Sequence, residues 1–132
     1  MTDRDSETSL VLADDDRELV ELPHEQLDVY RVLEEAYRRA MRWQGVSWAK
    51  GTPGDQLKRS ASSAVLRYTE GFYADAGNKA SLWKGARASC GEAAAAVQLL
   101  ALERKVPSDD AARVRSLLSR AMRMLARLLR PH

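Results

Sequence analysis

Residue types that carry chemistry are scarce in this 132-residue chain, which has one cysteine, two histidines, one phenylalanine and an aromatic share of 6%. The lone Cys90 excludes an intrachain disulfide, suits a reducing compartment and is expected as a small core residue. His24 and His132 supply no cysteine and histidine set at zinc spacing, and neither a Walker loop nor a G-x-S-x-G turn is present. Di-iron bundles require two Glu-x-x-His motifs plus two further carboxylates. The one formal match runs from Glu21 to His24 and is interrupted by Pro23, so it reads as coincidence. No apolar run approaches the roughly 18 residues of a membrane span, and the N-terminus lacks the basic and apolar regions of a secretory signal. A cytosolic protein without cofactor, metal or membrane contact is expected, and the residues point to binding or assembly rather than catalysis.

Charge is plentiful and unevenly placed. Residues 1–22 hold eight acids against Arg4 and Arg17, a net of −6, whereas residues 23–132 carry 19 bases against 11 acids. The total of +2 therefore hides a cationic body behind an anionic leader. A cationic body favours polyanions or acidic protein faces. The leader is mostly polar, and disorder or an extended arm is expected for it, with Leu10, Val11 and Leu12 able to dock on a neighbour. It acts either as a solubilising tail or as an intramolecular mimic that competes with polyanions.

The body, residues 23–132, is long enough for one domain with one core. Between residues 24 and 43, Val29, Val32, Leu33, Ala36, Tyr37, Ala40 and Trp43 recur at helical spacing, opposite the i,i+4 pairs Glu34 with Arg38 and Glu35 with Arg39. Gly45 and Gly51 bracket a loop holding Trp48. Thr52, Pro53 and Asp55 read as N-cap, N1 proline and first-turn acid of a helix over 53–72. Leu57, Ala61, Ala64, Val65, Tyr68 and Phe72 form its stripe, whose small middle residues allow close approach of another helix. A third helix, capped by Asp75 or Asn78 and reaching about residue 104, has its seam at Leu82, Ala86, Ala93, Val97 and Leu100, flanked by Trp83, Cys90 and Ala101. Glu92 beside that seam is expected to accept hydrogen bonds or pair with an arginine across helices. The Lys105, Val106, Pro107 segment ends this helix, and Ser108 is expected to cap a fourth, with Asp109 and Asp110 in its first turn.

In the fourth helix Val114, Leu117, Leu118, Ala121, Met124, Leu125 and Leu128 fall on an arc of about 120°, and Arg113, Arg120, Arg123, Arg127 and Arg130 on a separate arc of about 100°. Four such helices with short connections and no strand pattern predict an all-α, up-down-up-down antiparallel four-helix bundle. The arginine strip is either a solvated helix surface or a phosphate contact face, since guanidinium donors match phosphate oxygens. Few aromatics accompany it for base stacking, so contact with nucleic acid would be led by the backbone and sensitive to salt.

Three stretches resemble the four-helix-bundle proteins encoded in intervening sequences of bacterial large-subunit ribosomal RNA genes. They are Leu27-Asp28-Val29-Tyr30-Arg31, Gln56-Leu57-Lys58-Arg59-Ser60-Ala61 leading to Glu70-Gly71-Phe72, and Ala86-Arg87-Ala88-Ser89 with Glu92. Val65 and Arg67 stand where that family usually has a proline and an asparagine, Thr69 stands for an alanine, and Ala88 for a glycine that would allow closer helix approach. The resemblance implies an up-and-down bundle assembling into a homo-oligomeric ring, commonly a pentamer, with no established activity. The related accessory variability proteins of diversity-generating retroelements imply, by analogy, a reverse transcriptase and its RNA as partners.

Two functional expectations follow. In one, the chain is a homo-oligomeric accessory protein binding RNA or DNA through Arg113, Arg120, Arg123, Arg127 and Arg130 together with Lys58, Arg59 and Arg67, and ring assembly multiplies weak contacts. In the other, it is a protein-binding scaffold whose basic face receives acidic partners, with Leu66 and Trp48 as apolar anchors.

Overall fold

The computed structural model describes residues 23–131. The acidic leader, with its docking residues Leu10, Val11 and Leu12, and His132 lie outside the described residues. A 3-10 turn, Pro23–Gln26, precedes four helices: α1 Asp28–Met41, α2 Pro53–Tyr73, α3 Ala76–Leu102 and α4 Ser108–Leu128. Each packs against its neighbours in sequence, and α1 closes against α4, so α1 and α3, like α2 and α4, lie diagonally across an antiparallel bundle. The described residues form no strand. Among them, no helix is long and apolar enough to cross a membrane.

The periodic stripes become one core. Val29, Val32, Leu33, Ala36 and Ala40 of α1 meet Leu57, Ala64 and Tyr68 of α2, Ala86, Cys90, Ala93, Val97 and Leu100 of α3, and Val114, Leu118, Ala121 and Leu125 of α4, all buried. Three expected positions differ. The first helix begins at Asp28 rather than His24, because the Leu27 cap is extended (φ −87°, ψ 146°) and separates α1 from the 3-10 turn. Trp43 lies beyond α1, yet the chain folds back so that its ring is still buried. Leu128, expected on the packing arc of α4, is the last residue of the helix and is 46% exposed.

Local chemistry sets the ends. Thr52 caps α2 by accepting from the Asp55 amide (3.2 Å), and the Asp55 carboxylate accepts in turn from the Gly51 amide (3.1 Å), which satisfies two amides at once. Asp75 caps α3 through the Asn78 amide at 3.2 Å. Ser108 is not a cap: Pro107 occupies that position without a side-chain cap bond, and Ser108 is the first helical residue. α3 ends two residues early in a Schellman turn, with Lys105 N–H on Leu100 O (2.9 Å) and Arg104 N–H on Ala101 O (3.0 Å). Arg104 takes the left-handed position, φ 57°, that such turns usually give to glycine.

α2 and α3 are the most intimate pair, as the small residues of both predict. Ser89 and Ser63 share a hydrogen bond at 3.1 Å, and the edge of Trp83 sits so close over Gly71 that a Cβ there would come within 2.5 Å of the ring. Trp83 stacks on Tyr68 with ring centroids 5.7 Å apart and donates to the Tyr68 carbonyl at 3.1 Å. Ala88 faces solvent, so its methyl group does not limit packing within the bundle.

Candidate nucleic-acid interface

α4 fixes the strongest charged feature. Its buried stripe locks the helix rotation, and Arg113, Arg120, Arg123 and Arg127 then project from the opposite side; Arg130, expected on the same strip, lies two residues past the end of the helix, and all five are exposed. From residue 111 to 131 there are six arginines and no acid. The sixth, Arg115, lies on the flank toward α3 and is also exposed. Sequence reasoning missed it because its phase falls between the two arcs. None of the six forms an ion pair among the described residues, and Arg123 makes one neutral contact, donating to Ser119 Oγ at 2.7 Å. The span from Arg113 to Arg130 is about 26 Å at 1.5 Å per residue. That equals roughly eight phosphates of one strand at 3.4 Å each.

α1 provides the contrast. Arg38 bonds Glu34 (3.3 Å) and Glu35 (2.7 Å), and Arg39 bonds Glu35 at 2.6 Å, so this helix neutralises most of its own charge. The hydrogen bond from Arg39, reinforced by Arg38, holds the Glu35 carboxyl below the ordinary carboxylate range. A cleft of about 220 Å³ between α1 and α4, lined by Arg39, Arg42, Trp43, Asp110 and Val114, places the exposed Arg42 near the N-terminal end of the strip.

The remaining expected contacts are dispersed. Lys58, Arg59 and Arg67 are exposed on α2, the helix diagonal to α4, and do not extend the strip. Arg59 lies 3.8 Å from Asp55, and Arg67 lies over Gly85, where a Cβ would come within 2.7 Å of its guanidinium. Glu92 is exposed and makes no ion pair among the described residues. Leu66 is 65% exposed, whereas Trp48 is half-buried and packs on the core.

Reactive groups are sequestered. Cys90 is fully buried, and desolvation pushes its thiol up to about 12. The Nδ1 of His24 is 2.9 Å from the Tyr73 hydroxyl, and Glu21, its formal Glu-x-x-His partner, lies outside the described residues. Among the described residues no group of three or more His, Cys, Asp or Glu side chains is arranged to hold a metal ion.

Two apolar surfaces complete the exterior. On α3 the outer face carries exposed Ala88 and Ala95 with Leu99 (49% exposed) and Leu102 (69%). Between α1 and α2 a groove of about 270 Å³ is lined by Tyr30, Glu34, Tyr37, Ser62, Val65 and Leu66. No protein-family model matches the chain, and no curated protein is similar to it at a significant level.

Proposed function

We propose that this chain is a cytosolic, homo-oligomeric accessory protein that binds the backbone of RNA or DNA, alone or within a ribonucleoprotein such as a reverse transcriptase complex, and performs no catalysis of its own. One observation carries the reading: five exposed arginines follow one another along α4, and Arg130 just past its end, without an intervening acid or an ion pair among the described residues. An ordinary solvated face intersperses both signs, as α1 does. An uncompensated row of guanidinium groups is suited to a row of phosphates.

Assembly is supported by α3. The C-terminal half of α3 leaves Ala95, Leu99 and Leu102 exposed in line with Ala88, and no element of the chain among the described residues covers this apolar strip. A ring of copies, five by the resemblance of the sequence, covers this face and repeats the arginine strip, so that modest contacts gain avidity. Native mass spectrometry tests the assembly. A closed oligomer is expected, converted to monomer by Leu99→Asp with Leu102→Asp, and a monomeric wild-type protein refutes this part.

Binding is tested with single-stranded RNA at two salt concentrations. If the five strip arginines each meet a phosphate, log K falls against log salt with a slope of about −3.5, and replacing Arg120, Arg123 and Arg127 by glutamine lowers its magnitude by about 2. Absence of binding near physiological ionic strength, or an unchanged slope in the triple variant, refutes the nucleic-acid reading. The scaffold reading is favoured by Leu66, which stands in the α1/α2 groove as an apolar anchor. A defined protein partner that stays bound after nuclease treatment, with no nucleic acid in the purified complex, selects it instead.

A further inference from the structure

The α1/α4 cleft combines groups that a row of phosphates does not explain. Antiparallel packing brings the C-terminal end of α1 beside the N-terminal end of α4, so Arg42, the C-cap of α1, and Asp110, in the first turn of α4, line one opening of about 220 Å³. Each charge stands where its helix dipole favours it. Both residues are exposed, yet they form no ion pair with each other or with any other group among the described residues. Arg39 differs: its Nε donates to Glu35 at 2.6 Å, which holds the guanidinium in place beside the opening. Trp43 and Val114, both buried, supply the apolar part of the lining.

Asp110 is ill-suited to phosphate contact. At 100° per residue it lies about 60° from Arg113, between the buried stripe and the arginine strip, and its carboxylate repels a phosphate at the head of the row. A carboxylate in that position is suited to hydrogen-bond donors. We propose that the cleft takes one unpaired guanine base, with Asp110 accepting from its N1–H and N2 amino group, Arg39 offering a guanidinium plane for stacking, and Arg42 meeting the phosphate of the same nucleotide.

The donor pattern selects the base. Guanine alone presents two neighbouring N–H donors on its Watson–Crick edge, and one carboxylate accepts both. Adenine and cytosine set a ring acceptor beside their amino group, and uracil flanks its single N–H with carbonyl oxygens, so each turns a lone pair toward Asp110. Unstacked bases are read on this edge, and they stack on aromatic rings or guanidinium planes. Size agrees as well. Sites for drug-sized ligands begin at about 300 Å³, so an opening of 220 Å³ admits a base and leaves sugar and phosphate outside, where the exposed Arg42 stands. A strand following the strip from Arg113 onward delivers the base. That strand belongs to the nucleic-acid reading, on which this inference rests for delivery; recognition of the base rests on the cleft.

The test titrates the full chain with guanosine 5′-monophosphate and, for comparison, adenosine 5′-monophosphate, which carries the same phosphate charge. By NMR the guanine nucleotide is expected to shift the Trp43 indole N–H and the Asp110 amide at concentrations lower by about fivefold or more. Asp110→Asn removes the difference, whereas Asp109→Asn, a first-turn change outside the cleft, keeps it. Equal shifts by the two nucleotides, or a preference that survives Asp110→Asn, overturn the proposal. The same proteins are then titrated with oligouridylate RNA, plain or carrying one internal guanosine. Binding of the guanosine strand tighter by about fivefold or more is expected, and equal binding of the two strands overturns the proposal while leaving the strip reading intact. Failure of both strands to bind refutes the strip reading, and the nucleotide titration still decides the cleft.

Discussion

Replacing Arg104 by glycine should stabilise the protein. The residue sits at φ 57°, where an L side chain crowds the following carbonyl, and this conformation costs a non-glycine residue about 1–2 kcal/mol. Glycine removes that cost but increases the entropy of the unfolded chain, giving back about 0.4–1 kcal/mol. The Arg104 side chain is exposed and forms no ion pair among the described residues, so little else is lost. The Schellman bonds to Leu100 and Ala101 are made by backbone groups and survive the change. The net expectation is about 0.5–1 kcal/mol of added stability. For a body of this size that amounts to roughly 2–5 °C in Tm. Arg104→Val supplies the opposite sign, since a β-branched residue tolerates positive φ worst, and a loss of about 1 kcal/mol or more is expected. Urea and thermal unfolding followed by circular dichroism measure both. Destabilisation by glycine, or equal effects of glycine and valine, would show that α3 does not end in this turn.

Other expectations are equally direct. Gly54→Ala drives a Cβ into the Ser47 carbonyl, a backbone atom that cannot swing aside, and should cost about 1–3 kcal/mol of unfolding free energy. Gly77→Ala, in the first turn of α3 with nothing within 4 Å of the new methyl, should instead be neutral or stabilising by up to about 1 kcal/mol in the same unfolding assay. Cys90 should resist iodoacetamide at pH 8 in the native protein and react readily in denaturant, because burial pushes its thiol up to about 12; rapid native alkylation contradicts this packing. Glu35 should titrate below the ordinary carboxylate range by carboxyl NMR, with its midpoint rising in Arg39→Gln. Its folded pKa is depressed, so its contribution to stability is present at neutral pH and fades as pH falls through that lowered value.

Much of the fold is legible in the amino-acid order. The apolar spacing of α1, α2 and α4 is local, and a helix translates spacing into a face without reference to the rest of the chain. The caps at Thr52 and Asp75 and the pairs Glu34 with Arg38 and Glu35 with Arg39 are legible for the same reason. His24 illustrates the limit. Its phase fits α1, yet it leaves the helix for a pocket formed by Tyr30 and Tyr73, the latter 49 residues away. Arg104 is a second case, because a left-handed arginine carries no compositional signal.

For the candidate site the division is similar. The sequence by itself determined that the body is cationic, that four helices carry apolar stripes, and that Arg113, Arg120, Arg123 and Arg127 share one side of the last helix, because each of these follows from residue identity and a 3.6-residue period. Only the tertiary structure decided which charges lie together. It set Lys58, Arg59 and Arg67 on the helix diagonal to α4, left Glu92 in solvent, drew Trp48 onto the core, and exposed Leu99 and Leu102 on α3. The physical reason is that side-chain volume at each contact, small between α2 and α3 and aromatic between α1 and α2, fixes how closely and in what order helices pack, and so which faces remain for a partner.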